Sequence, residues 1–252
     1  MISVALIGPD GAGKTTIARM IEESFPVPIK YLYMGVSVES SNIALPTTRV
    51  VEYIKRLRRK KKGVAVAKNV VPPNRRNGKH KKSGLRALLR LANRFAEEWY
   101  RQYLSWNYRR KGHIVVYDRH YKFDFELDKV RLPDEKKSFT DWLHRWFLAR
   151  VYPAPDMVIY LDAPAEVLFA RKGEFTLEWL DSRRQAFIKQ GKKTPNFFQI
   201  DATQPLEKVF ASVTERIMQH YQKKRAPQQS IDKSANGKMI AGKTVQKAIH
   251  TD

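Results

Sequence analysis

Apolar residues fall in two rhythms along the chain. Short unbroken runs at residues 2–7, 29–34, 113–117, 157–161 and 197–200 are rich in Ile, Val, Leu and Tyr. Runs of that length and composition predict strands buried on both faces, as in a parallel sheet. Between them the apolar positions recur every three or four residues, which predicts amphipathic helices. The first covers 14–25, with Ile17, Ala18 and Ile21 on one face. Others are predicted at 49–62, 85–108, 134–152, 163–171, 177–190 and 206–222. In the long 85–108 segment the predicted core stripe is Leu85, Leu88, Leu89, Ala92, Phe95, Ala96, Trp99 and Tyr103, with its arginines in solvent. Strands alternating with helices predict an α/β domain built on a five-stranded parallel sheet. The stretch 63–84 is rich in Pro, Gly, Asn and Lys and lacks a period, so it reads as a loop or partly disordered segment. The domain is expected over 1–224, with a basic insertion at about 55–84, and residues 225–252 read as a disordered basic tail.

Charge sharpens this division. The formal net charge is +23, but 16 Lys and Arg without a single acidic residue lie between positions 53 and 96. From position 222 onward there are seven basic residues against Asp232 and Asp252. The rest of the chain is nearly neutral, so the charge sits in appendages rather than over the whole surface. Cysteine is absent, which removes disulfides, thiolate metal sites and cysteine nucleophiles, and fits a cytoplasmic setting. No apolar run approaches the length of a membrane helix, and the apolar start is too short for a signal peptide.

Two stretches share the pattern Gly-x4-Gly-Lys-Thr, and context separates them. The first, Gly8-Pro-Asp10-Gly11-Ala12-Gly13-Lys14-Thr15-Thr16, follows a predicted strand and opens a predicted helix. Its glycines let backbone N–H groups turn toward phosphates, and the helix start adds positive potential. In such a loop Lys14 would reach the β- and γ-phosphates and Thr15 would bind Mg2+. The second, Gly237 to Thr244, follows a polar stretch and has eight residues after it, too few for a packed helix; it reads as a chance match. Predicted strand three ends in Asp118-Arg119-His120, at the carboxyl edge where open α/β sheets bind ligands. Asp118 there could hold Mg2+ or accept a proton, and Arg119 could clamp an anion.

With these residues in place the chain resembles the thymidylate kinase family of P-loop nucleoside-monophosphate kinases. The resemblance rests on GPDGAGKTT (8–16), YDRH (117–120), PDMVIYLDAPAEVLFARKGE (155–174) and IDATQPLEKVFASV (200–213), in that order. It implies that Gly8, Asp10, Gly11, Ala12, Gly13, Lys14, Thr15 and Thr16 surround ATP phosphates, with Mg2+ at Thr15 and Asp118. It further implies that Arg119 grips the acceptor, that Arg171 and Arg184 neutralise the transferring phosphoryl group, and that Thr203 and Gln204 lie beside adenine. A homodimer is also a family expectation.

The departures concern the acceptor. Where the family has Arg-Glu-Pro-Gly-Gly, this chain reads MGVSVESSN. After YDRH it carries Asp124 and Asp128, four residues apart, with Arg131 close by, a set that could bind substrate or form a solvated acidic face. Three readings therefore stand: a kinase of nucleoside monophosphates such as dTMP, a kinase of a sugar or glycan-linked hydroxyl, or a nucleotide-binding interaction protein with a basic docking arm. The small-molecule acceptor aside, the basic insertion suggests a polyanion or an anionic membrane surface as partner, which would make the protein membrane-peripheral. No base-stacking, zinc or helix-turn-helix pattern points to specific nucleic-acid recognition.

Overall fold

The structure, a computed structural model, describes residues 1–35, 84–123, 139–173 and 175–225. Five strands form one sheet: β1 (Ser3–Ile7), β2 (Ile29–Tyr33), β3 (Ile114–Asp118), β4 (Met157–Asp162) and β5 (Phe197–Asp201). Their order is β2-β3-β1-β4-β5 and every pairing is parallel. The helices are α1 (Lys14–Ser24), α2 (Gly84–Arg110), α3 (Phe139–Val151), α4 (Ala165–Lys172), α5 (Leu177–Gly191) and α6 (206–225). The predicted helix at 49–62, the loop at 63–83, the tail from 226 and the second Gly-Lys-Thr stretch lie outside the described residues.

Strand alternation distributes the core over two layers. Val4, Leu6, Val116, Ile159 and Leu161 face one side, where α1 and α6 cover them with Ile17, Ile21, Val213 and Ile217. Ala5, Ile7, Val115, Tyr117, Val158 and Tyr160 face the other, against Leu148, Tyr152 and Phe187 from the α3 and α5 side. This sidedness positions the site. The helix after β1 packs on one face and the helix after β3 on the other, although β1 and β3 are neighbours. Their connections therefore diverge, and the crevice opens at the carboxyl edge between them.

Helix α2 corrects the sequence expectation. Its buried side is polar: Glu97, Glu98, Arg101, Gln102 and Ser105 lie inside with Leu91. Leu88, Leu89 and Tyr103 of the predicted core stripe are exposed, as are Ala92 and Ala96. The cause is a set of polar partners supplied by other elements. Arg101 Nη1 donates to Gly35 O at 2.9 Å and to the Tyr121 hydroxyl at 2.6 Å. Ser105 Oγ pairs with the Tyr117 hydroxyl at 2.6 Å, and Glu98 with His144 Nε2 of α3 at 2.7 Å. Buried polar side chains that pair with other elements carry no hydrophobic signature, so periodicity selected the neighbouring face.

Candidate active site

The loop between β1 and α1 holds its shape through close backbone approach. A Cβ at Gly8 would lie 2.6 Å from Leu161 O of β4, too close for any side chain. Gly13, at φ 86°, precedes α1 in the left-handed region that suits glycine. Within the loop Lys14 is buried, and its Nζ donates to Gly8 O at 2.8 Å and Pro9 O at 2.7 Å. The ammonium thus sits inside the cradle that the backbone forms.

Asp118 closes the floor. In register it is paired with Leu6, two residues before the loop begins at Gly8. It is almost wholly buried, and its Oδ2 accepts from Thr15 Oγ1 at 2.6 Å and from the Tyr31 hydroxyl at 3.0 Å. Its Oδ1 is buried without a hydrogen-bond partner. A buried unpartnered carboxylate oxygen is costly unless something else completes it. With a hydroxyl alongside, this donor set fits a hard divalent cation. No group of three or more His, Cys, Asp or Glu is poised to hold a metal among the described residues. A cation here would therefore draw further ligands from phosphate oxygens and water, the habit of Mg2+ at nucleotide sites.

Arg119 follows Asp118 with φ 66°, left-handed and sparsely populated for a residue with a side chain. Its backbone N–H is held by Leu6 O at 3.0 Å, and its guanidinium is ion-paired with Asp10 of the phosphate loop. The strained backbone turns the side chain toward the loop. Burial pushes the Asp10 carboxyl up, but Lys14, Arg119, Lys172 and Arg183 together pull it below the usual range. Asp10 is therefore ionised and set among four cations. His120, next in sequence, is fully enclosed; burial, aided by Lys122, lowers its pKa to about 3. Its imidazole is held in the neutral form.

Beside the loop lies a cavity of about 250 Å3, lined by Gly11, Gly13, Thr16, Arg171, Gln204 and Leu206 among others. Thr203 and Gln204 are fixed at its rim by Asp201. That carboxylate accepts from Thr203 N at 2.9 Å, Thr203 Oγ1 at 2.6 Å and Gln204 Nε2 at 3.0 Å. Loop, rim and Arg171 thus share one concave wall. Arg184 is engaged differently: its Nε and Nη2 fork onto Asp162 at 2.7 and 2.9 Å. The Tyr160 hydroxyl and Gln199 Nε2 complete that carboxylate at 2.9 and 2.8 Å. Arg183, which sequence reasoning passed over, is nearly buried, with its guanidinium 5.1 Å above the Trp179 ring and 5.9 Å above Phe187. Adjacent helical residues diverge by about 100°, and spelling alone could not show which arginine faced Asp10. Asp124, Asp128 and Arg131 lie outside the described residues.

Comparison with known proteins places this geometry. No family model matches the sequence. A thymidylate kinase from Thermosipho africanus is 30% identical over 76 residues, a stretch covering 27% of this chain and 38% of that protein. The matched region is thus well under two thirds of that relative's length. Among solved structures, deoxyadenosine kinase from M. mycoides, with products dCMP and a flexible dCDP bound, superposes with a TM-score of 0.50. The two are 18% identical, and the superposition covers 86% of this chain and all of that one. The chain shares the fold of that kinase. In this chain that fold sets the loop after the first strand beside the crevice at the β1–β3 switch point. No helix among the described residues is long and apolar enough to cross a membrane.

Proposed function

We propose that the protein is an ATP-dependent phosphotransferase of thymidylate-kinase type, moving the γ-phosphoryl group of ATP to a nucleoside monophosphate such as dTMP. The observation that carries this reading is the junction of phosphate loop and acceptor edge. Thr15 and Asp118 share a hydrogen bond, and Asp10 and Arg119 share an ion pair, so donor and acceptor halves meet within one crevice.

In this reading Gly8–Thr16 wrap the phosphates of ATP, with Lys14 leaving its two carbonyl partners for phosphate oxygens. Mg2+, held by Thr15 and Asp118, supplies charge neutralisation on the phosphates. Arg119 orients the acceptor's phosphate, and Asp10, ionised and opposite, fixes the guanidinium when no acceptor is bound. Arg171 and Arg183 face the same crevice as sources of positive charge, and the Gln204 rim takes the adenine. Arg184, tied to Asp162, would reach the transferring group only by giving up that fork. Catalysis of this kind is positioning and charge stabilisation, since the transition state spreads charge over three oxygens.

The acceptor class follows from a panel of dTMP, other nucleoside monophosphates, deoxynucleosides and simple sugars, each offered with MgATP. ADP release that requires a nucleoside monophosphate supports the proposal. Release that requires a sugar hydroxyl supports the second enzyme reading, and nucleotide binding without acceptor-dependent release supports the interaction protein.

The strained residue offers a separate check. Glycine relieves a left-handed backbone by about 1 kcal/mol, which offsets the loss of the part-buried Arg119–Asp10 pair. Arg119→Gly should therefore keep or slightly raise the midpoint of thermal unfolding while the KM for acceptor rises about tenfold or more. An unchanged KM would remove Arg119 from acceptor binding.

A further inference from the structure

At the opposite edge of the sheet, residues outside the crevice gather into a second surface. Asp156, just before β4, accepts from Ser3 N and Oγ at 2.8 Å. It also pairs with Arg109 at 3.2 Å and with Lys224 of α6. Arg109 in turn donates to Met1 O at 3.1 Å. This knot ties the starts of β1 and β4 to the ends of α2 and α6. Beside it an open cavity of about 530 Å3 is lined by Met1, Trp106, Arg109 and Arg110.

Helices α2 and α3 repeat one design. On α2, Tyr103, Trp106 and Arg110 stand at i, i+3 and i+7; on α3, Trp142, Trp146 and Arg150 stand at i, i+4 and i+8. Each set lies along one helix face. The aromatics are exposed, Trp142 at 55% and Trp146 at 48%. Trp99 links the helices at their junction, 5.9 Å from the Trp106 ring and 6.4 Å from Phe147. Each aromatic stripe therefore runs toward an arginine at the helix end, and the exposed Lys111 follows Arg110 directly.

We propose that this aromatic and basic face docks on the surface of an anionic phospholipid bilayer. Indole rings favour the boundary between headgroups and acyl chains, and clustered Lys and Arg are drawn to anionic headgroups. Charge complementarity decides the occupant. A second copy of the chain would bring Arg110, Lys111 and Arg150 against like charges across a two-fold axis, whereas a lipid surface opposes them with phosphates. Docked this way, the phosphate loop and Asp118, at the other edge of the sheet, stay open to water.

The test uses the full chain and vesicles of phosphatidylcholine, alone or mixed with phosphatidylglycerol. Binding is expected to the mixed vesicles only, weakening with salt and shifting tryptophan emission to the blue. Brominated lipid in those vesicles should quench the emission, which reads indole insertion without any substitution. The pair Trp106→Ser with Trp146→Ser should weaken binding about tenfold. The pair Arg110→Glu with Lys111→Glu should weaken it by fivefold or more per charge, on the order expected for basic residues at such a surface. MgATP binding should be unchanged in both, which shows the fold and the crevice intact. The proposal is overturned by absence of binding to mixed vesicles, by binding without quenching, by binding that neither pair weakens, or by tighter retention on a polynucleotide than on vesicles at equal salt.

Discussion

Replacing Lys14 with alanine is expected to lower phosphoryl transfer by at least about a hundredfold, the scale of one preorganised charge aimed at a transferring group. The structure explains why the loss should be large and confined to chemistry. Lys14 Nζ donates to two carbonyls of the loop itself, Gly8 O and Pro9 O, so its ammonium sits within the phosphate loop where phosphate oxygens would arrive. The loop's shape rests on Gly8 against the β4 backbone and on Gly13, so it should persist without the lysine. Lys243→Ala, in the second Gly-Lys-Thr stretch, should leave turnover as it is. Steady-state rates of both variants with MgATP and saturating acceptor make the comparison. Comparable losses in the two, or none in Lys14→Ala, would remove the assignment of the first loop.

The second large effect is on stability. Asp162→Ala should lower unfolding free energy by roughly 2–4 kcal/mol, the range for removing one partner of a buried ion pair, reduced because Arg184 is partly exposed. Asp162 is almost buried and receives Arg184 twice, Tyr160 once and Gln199 once. Burial raises its carboxyl pKa, but hydrogen bonds from Arg184 and Tyr160, the arginine's charge and Gln199 carry it below the usual range. Without it, the wholly buried Tyr160 hydroxyl and the guanidinium both lose their acceptor. For a domain of this size that corresponds to a fall in Tm of roughly 5–15 °C. Arg184→Ala should cost less, because Tyr160 and Gln199 still satisfy the carboxylate. Thermal and urea unfolding of both variants provide the ranking; a milder Asp162 variant would mean that the fork contributes little.

The scaffold was legible in the sequence because its determinants are local. Unbroken apolar runs such as Val158–Leu161 specify strands buried on both faces, and the loop motif needed only a strand before it and a helix after it. Asp118 and Arg119 were legible for the same reason, since a strand's last residue marks the carboxyl edge. What was hidden depended on partners far along the chain. The buried face of α2 is polar because Gly35, Tyr117, Tyr121 and His144 answer it, and none of these is near α2 in periodicity. Arg183 and Arg184 are adjacent and alike, and only Asp162 on β4 and Asp10 in the loop distinguish them. The left-handed backbone at Arg119 has no spelling at all, because the conformation is imposed by β1 and the loop.

Phosphate transfer, rather than nucleotide holding alone, is what the crevice is proposed to do. Its most direct measurement follows the γ-phosphoryl of labelled ATP, with Mg2+ and a panel of nucleoside monophosphates, in wild type and Lys14→Ala. Label should appear on a nucleoside diphosphate in the wild type and not in the variant. Label that stays in ATP or passes only to inorganic phosphate, whatever monophosphate is supplied, would contradict it.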